Sequence, residues 1–327
     1  MSHVLKPFKY LRVKTLSEAV SALSKYGRKA IVMAGGTDVL QRYKLKYTPE
    51  FPEVIIDLKG IPDLSYIKEE GGVLKIGSLT TLSDIAESSL IRSKYTALAE
   101  AADKVASPQI RNMGTIAGNI CQDIRCWYYR APNNYFNCLR KGGAMCYAMA
   151  GDNRYYHSIF GAVGGCVATN PSDTAPALVA LDAKVVTNKR TIPIEEFFTV
   201  DVMKTTVLDP DEIITEIQIP TPPPGTKSKF IKHSIRKSID FALVNCASAI
   251  TSEGGVVKEA RICLNAVYNL PYRATKAEEY LKGKSIDESI AEEASRRAVE
   301  DAVPLSMNKW KVEVAKALVK RAILACK

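Results

Sequence analysis

A chain of 327 residues exceeds the usual size of one hydrophobic core, so two or three domains are expected. Its 46% hydrophobic and 24% charged residues match a soluble globular protein and exclude a fibrous or disordered one. The formal charge of +10 comes from scattered Lys and Arg residues without a nucleic-acid motif, which argues against nucleic acid and suits an acidic partner or an anionic substrate.

The opening stretch Met1-Ser-His-Val-Leu-Lys-Pro-Phe-Lys-Tyr10 lacks the apolar core of a signal peptide, and no later apolar run is long enough to span a bilayer. A cytoplasmic location without a membrane span is therefore expected. In Thr15-Leu-Ser-Glu18, the threonine can cap a helix while the glutamate reaches back, and Gly27 supplies the stop. The short apolar strand Ala30 to Ala34 runs into Gly35-Gly36-Thr37-Asp38 and a further helix. A glycine pair between strand and helix lets the backbone turn sharply and approach a phosphate, although the spacing matches neither a Rossmann fingerprint nor a Walker loop. An ordinary tight turn would read the same way.

Val54 to Leu58 and Val73 to Gly77 read as strands, a capped helix starts near Thr81, and another covers Tyr95 to Val105. The small residues of Gly114-Thr-Ile-Ala-Gly-Asn119 leave room for a flat or phosphorylated ligand. Then comes the spacing Cys121-x4-Cys126-x11-Cys138-x7-Cys146-x19-Cys166, with Trp127, Tyr128, Tyr129, Tyr135 and Phe136 between the thiols. In a reducing compartment clustered cysteines point to metal or redox chemistry rather than disulfides, and iron and zinc both remain open on spacing alone. His157 is expected on the surface or in a loop, and Cys246, Cys263 and Cys326 as packing residues. An apolar helix follows Ser172-Asp173, and Pro220-Thr-Pro-Pro-Pro-Gly225 marks a boundary because consecutive prolines extend neither a helix nor a central strand. Strands over Lys229 to His233, Phe241 to Ile250 and Ala260 to Ala266, then charged helices over Ile286 to Val303 and Lys309 to Lys327, make a smaller α+β unit.

Taken together, Ala34-Gly-Gly-Thr-Asp38, Gly114-Thr-Ile-Ala-Gly-Asn119, Ser172-Asp173 with Ala180-Leu-Asp-Ala-Lys184, and Lys232 with Arg236 and Ser238-Ile-Asp240 resemble the FAD-binding subunit of the molybdenum hydroxylases, the family of xanthine dehydrogenase and carbon monoxide dehydrogenase. The resemblance implies an α+β fold: a two-part FAD-binding domain of the vanillyl-alcohol-oxidase type over residues 1–222, then a small flavoprotein C-terminal domain over 223–327. It implies that Ala34, Gly35, Gly36, Thr37 and Asp38, with Thr115, Gly118 and Asn119, hold the FAD pyrophosphate. Asp173 would lie along the ribityl or flavin part and Lys232 near the isoalloxazine.

The cysteine-rich insertion of about residues 120–167 resembles that of the 4-hydroxybenzoyl-CoA reductase flavoprotein subunit, which carries an extra 4Fe-4S cluster. That likeness implies Cys126, Cys138, Cys146 and Cys166 as ligands, with Cys121 spare and the substitute for Cys166. The implied role is electron transfer between an external carrier, such as ferredoxin or NAD(P), and two partners, a molybdopterin-binding large subunit and a 2Fe-2S small subunit. No general acid or base is expected on this chain. A self-sufficient flavin oxidoreductase and a zinc-stabilised interaction protein are the alternatives.

Overall fold

A computed structural model of the chain describes residues 5–199 and 201–327, so Met1 to Val4 of the opening stretch, and Val200, lie outside the described residues. Three sheets succeed one another along the chain, and each is built with its own helices.

The first unit contains β1 (Lys9–Arg12), α1 (Leu16–Tyr26), β2 (Ala30–Met33), α2 (Val39–Leu45) and β3 (Val54–Asp57). Its strands form a parallel sheet in the order β1-β3-β2. The central strand is β3, and its four residues are all buried, as a continuous Val-Ile-Ile run requires. Thr15 caps α1 by accepting from the Glu18 amide at 3.1 Å, while the Glu18 carboxylate accepts from Lys14 N at 2.7 Å, one residue earlier than a capping box would place it.

The second unit starts with β4 (Ile67–Glu70) and β5 (Val73–Gly77), followed by α3 (Leu82–Glu87), α4 (Ser89–Lys94), α5 (Thr96–Asp103), α6 (Pro108–Arg111) and α7 (Ile116–Ile120). After the cysteine-rich segment, which includes α8 (Tyr147–Ala150), it resumes with α9 (Thr174–Ala180), β6 (Lys184–Thr187), β7 (Thr191–Pro193), α10 (Ile194–Phe197) and β8 (Ile214–Pro220). The strands pair antiparallel in the order β4-β5-β8-β6-β7. Alternation along β5 and β8 turns Leu74, Ile76, Ile217 and Ile219 into a core shared with Leu98, Leu178 and Phe197. The helix expected near Thr81 is capped by a complete capping box, with Asp84 as its second member.

Residues 221–225 lead to a third, four-stranded antiparallel sheet of β9 (Thr226–His233), β10 (Val244–Glu253), β11 (Val256–Asn265) and β12 (Tyr272–Arg273). It is covered by α11 (Thr275–Leu281), α12 (Glu288–Arg297) and α13 (Trp310–Leu324). The first seven residues of β10 are buried because α13 packs on this strand and α9 of the second unit also reaches it. Cys246 and Cys263 have no exposure and Cys326 has 2%, so these three are packing residues. Helix α11 was not apparent in the sequence, because its Thr-Lys-Ala-Glu-Glu-Tyr-Leu run carries too few apolar positions to declare a face. Among the described residues no helix is long and apolar enough to cross a membrane.

Candidate functional site

Strand β2 delivers the Gly35-Gly36 turn into a cleft between the first and second units. The two glycines serve different ends. A Cβ on Gly35 would stand 1.9 Å from Met113 O, so this residue permits backbone-to-backbone contact with the loop that leads to Thr115. Gly36 has φ of +78°, a left-handed turn that glycine adopts without strain. Across the cleft, Thr115 caps α7 by accepting from the Gly118 amide at 3.1 Å, and Gly118 keeps that wall free of side-chain bulk. Ala34 to Asp38, Thr115, Gly118 and Asn119 all line this cleft, whose volume is about 720 Å³. That size suits one extended organic cofactor.

Asp38 has a task that the sequence does not announce. Its carboxylate accepts from Arg130 Nη2 at 2.7 Å and from the Asp123 amide at 2.9 Å, and it pairs with Arg125 Nη1 at 2.8 Å. Burial alone would push this carboxyl up, but Arg125, Arg130 and the amide outweigh it and hold it below the ordinary aspartate value. A carboxylate beside a phosphate would repel it; here Asp38 instead bolts the glycine loop to the arm carrying Cys126. Arg125 stacks on Phe241 at 4.1 Å, and both line the cleft. Burial lowers the Arg125 guanidinium to about 10, with Asp38 supporting its charge and Arg130 opposing it.

Asp173 and Lys232 lie behind the cleft wall, not on it. They form an ion pair of 2.6 Å whose side chains are 4% and 7% exposed. Asn245 Nδ2 donates to the other oxygen of Asp173 at 2.8 Å, and Lys232 Nζ donates to Lys104 O at 2.9 Å. Burial pushes the Asp173 carboxyl up, against the pull of Lys232. The network continues to the cleft itself, because Asn119 Oδ1 accepts from Ser172 Oγ at 2.6 Å and Thr174 Oγ1 at 2.7 Å. Asn119, Asp173 and Lys232 thus belong to one buried polar system that fixes α7 against α9 and the third sheet.

The cysteines divide as their spacing could not decide. Cys126, Cys138, Cys146 and Cys166 line one small cavity together with Ile124, Tyr128, Tyr129 and Tyr147, whereas Cys121 lines the cleft. Cys126, Cys138 and Cys166 are 7%, 8% and 5% exposed. Burial pushes the Cys126 thiol up to about 12, aided by the neighbouring thiols of Cys166 and Cys138. Cys121 has exposed surface and lines the cleft, yet the mass of protein around it raises its thiol to about 12 as well. Among the described residues no three His, Cys, Asp or Glu side chains converge on one point as a single ion requires. The four thiols line one cavity of about 10 Å³, and thiolates are ligands common to iron and zinc.

Of the aromatic residues between the cysteines, Tyr128, Tyr129 and Tyr147 line the cavity, Trp127 and Phe136 pack outside its lining, and Tyr135 is exposed. Phe136 packs at 5.1 Å from Tyr128 and 4.9 Å from Tyr147, and Trp127 Nε1 donates to Asp152 O at 2.9 Å. Tyr129 and Arg140 line both cavities and so form the partition between them. Arg140 also donates to Val202 O at 3.0 Å and Lys204 O at 2.9 Å, drawing in a segment whose Met203 and Thr205 line the cleft. His157 lies in a loop, one of the two expected placements, but not on the surface: it has no exposure, because the strand-like bridge to Ala168 and the Trp127 ring cover it. Burial lowers its imidazole to about 4, with the Lys311 charge acting in the same direction.

A glycine-lined cleft for an elongated cofactor, joined by polar networks to a third α+β unit, defines a flavoprotein of two-part architecture. Residues 6–222 match the FAD-binding domain in molybdopterin dehydrogenase, and residues 229–326 match the CO dehydrogenase flavoprotein C-terminal domain. The aldehyde oxidoreductase FAD-binding subunit PaoB of Escherichia coli is 37% identical over 85% of this chain and 86% of its own length. The carbon monoxide dehydrogenase medium chain of Hydrogenophaga pseudoflava is 29% identical over 97% of this chain and 96% of its own. A solved structure of carbon monoxide dehydrogenase from Hydrogenophaga pseudoflava superposes with a TM-score of 0.78 at 28% identity, covering 99% of this chain and 98% of that one. The chain belongs to the family of FAD-binding subunits of the molybdopterin dehydrogenases, and it is an oxidoreductase subunit.

Proposed function

We propose that this chain is the FAD- and 4Fe-4S-containing electron-transfer subunit of a molybdenum hydroxylase-type enzyme. FAD exchanges electrons in pairs or singly and an iron–sulfur cluster exchanges them one at a time, so the two together connect two-electron chemistry to one-electron carriers. The observation that carries the reading is the placement of Cys126, Cys138, Cys146 and Cys166 around one cavity that shares the Tyr129 and Arg140 partition with the FAD cleft.

Ala34 to Thr37 and Thr115 to Gly118 would hold the cofactor by their backbone, with Asp38 fixing the first loop and Asn119 the second. Asp173 and Lys232 support that wall from behind rather than touching the flavin. The four thiols would hold the cluster, and the aromatic residues around them keep water from it, a condition that helps set its potential. A molybdopterin-binding large subunit and a 2Fe-2S small subunit complete the enzyme in this reading. An external carrier, a ferredoxin or NAD(P), exchanges electrons with this chain. The run Asn119-Ile-Cys121-Gln-Asp-Ile-Arg-Cys126 and the cysteine-rich insertion that follows favour a relation to the flavoprotein subunit of 4-hydroxybenzoyl-CoA reductase.

Anaerobic purification tests the assignment directly. Flavin absorption together with about four irons and as many acid-labile sulfides per chain is the expected result. A colourless chain containing zinc would overturn it.

A further inference from the structure

His157 stands immediately behind Cys126. Its Nε2 is 3.3 Å from Cys126 Sγ, yet the residue is not part of the cavity lining, so the ring touches the cage from outside. Three sets of contacts hold it there. The bridge from His157 to Ala168 sets it against the strand-like stretch that carries Cys166. Trp127 presents its edge at 5.6 Å. The third set comes from the segment that opens α13: Lys311 Nζ donates to His157 O at 2.9 Å, to Tyr155 O at 2.9 Å and to Ala266 O at 2.7 Å. Asn308 Nδ2 adds contacts to His157 O at 3.3 Å and Ser158 O at 2.9 Å.

Lys311 is fully buried, without a carboxylate partner among the described residues. A buried ammonium is costly, and three main-chain carbonyls compensate it only in part. Its bonds fix residues 155–157, and hence the imidazole, against Ala266 just after β11. A thiolate bound to iron carries no proton, so a hydrogen bond across the 3.3 Å contact has the imidazole as donor. Donors to the sulfur ligands of a cluster stabilise its more negative, reduced form and raise its potential.

We propose that His157 is a positioning residue of the cysteine cage, donating its Nε2–H to the Cys126 thiolate and so raising the potential of the cluster, and that the C-terminal unit holds it in register through Lys311 and Asn308. This rests on the reading of the cage as a 4Fe-4S site.

The test uses the full chain, purified without oxygen, with 15N-labelled histidine. Pulsed electron paramagnetic resonance of the reduced protein is expected to show a weak nitrogen coupling from one histidine. His157→Leu is expected to keep its iron, lose that coupling and titrate at a lower cluster potential, while the flavin couple stays where it was. His157→Gln, which keeps an N–H donor, is expected between the two. Equal cluster potentials in the wild type and His157→Leu, equal shifts in His157→Leu and His157→Gln, or iron present without any nitrogen coupling would each overturn the proposal alone. A strong coupling would overturn it in favour of direct ligation. If His157→Leu does not fold, the labelled wild type and His157→Gln decide the question. Flavin without iron in the wild type would remove the cluster reading and this inference together.

Discussion

At the scale of single residues, the cleft depends on what a side chain would displace. Alanine at Gly35 would drive its Cβ into Met113 O, a main-chain atom that cannot swing aside. Gly71 offers a control, because its φ is +58° but nothing lies within 4 Å of its Cβ position. Gly71→Ala should therefore cost about 1 kcal/mol of left-handed strain, while Gly35→Ala should cost about 1–3 kcal/mol and also open the cleft. Thermal unfolding and the FAD content of the purified chains would check both, and equal retention of FAD would contradict the assignment of Gly35 to the cradle. Glu212 provides a pH dependence. It is 4% exposed, Arg190 Nε and Nη2 donate to it at 2.9 Å each, and Thr187 Oγ1 donates at 2.8 Å. The Arg190 hydrogen bonds outweigh burial and lower its carboxyl from 4.5 to about 2. A depressed folded-state value means that its contribution is fully present above pH 4.5 and is lost as the pH falls toward 2. With Arg190 half-exposed the contribution is on the order of 2 kcal/mol. The melting temperature of the wild type should fall over that range more steeply than that of Glu212→Gln.

At the scale of elements, the glycine loops were legible because they carry local constraints: a strand, a tight turn and a helix start leave a mark in adjacent residues. The cysteine insertion was legible as a cluster but not as a cage. Which thiols meet depends on how the arm from Asp123 to Arg130 docks on Asp38, and on how Arg140 holds the segment of Val202 to Thr205. Both contacts join residues far apart in the chain, and no spacing rule reports them. The burial of His157 within its loop was hidden for the same reason, since its neighbours are Trp127, Ala168 and Lys311. The partition of thiols gives a direct prediction. Cys166→Ser removes a wall of the cage and should lose most of the bound iron, whereas Cys121→Ser, which alters only the cleft, should keep it. Iron and acid-labile sulfide counts on the two variants decide the matter, and the reverse pattern would transfer the ligand role to Cys121.

For the whole molecule, the question is what makes three sheets act as one body around the cleft. Asp173, from the turn before α9, meets Lys232 of β9 and Asn245 of β10, while Asn265 Nδ2 of β11 donates to Ser172 O at 2.7 Å. Asp173 and Lys232 were visible in the sequence as isolated polar positions. Their joining was not, since it needs the third sheet folded against the second unit. Such a pair, with both side chains more than nine-tenths buried, ties the units through geometry more than through net energy, because the cost of desolvating two charges offsets most of their attraction. Removing one member leaves the other charge without a partner. Asp173→Ala should therefore destabilise the apo chain by about 3–5 kcal/mol, and the denaturant midpoint should fall accordingly. Asp173→Leu combined with Lys232→Met should recover a large part of that loss, since apolar side chains of similar volume carry no unpaired charge. The double variant should still bind FAD less tightly than the wild type, because Ser172 and Thr174 then hold Asn119 from a turn no longer fixed by β9 and β10. If the double variant were as unstable as Asp173→Ala, the pair would be a source of stability in its own right. If instead it bound FAD like the wild type, the polar system behind the cleft would have no part in shaping it.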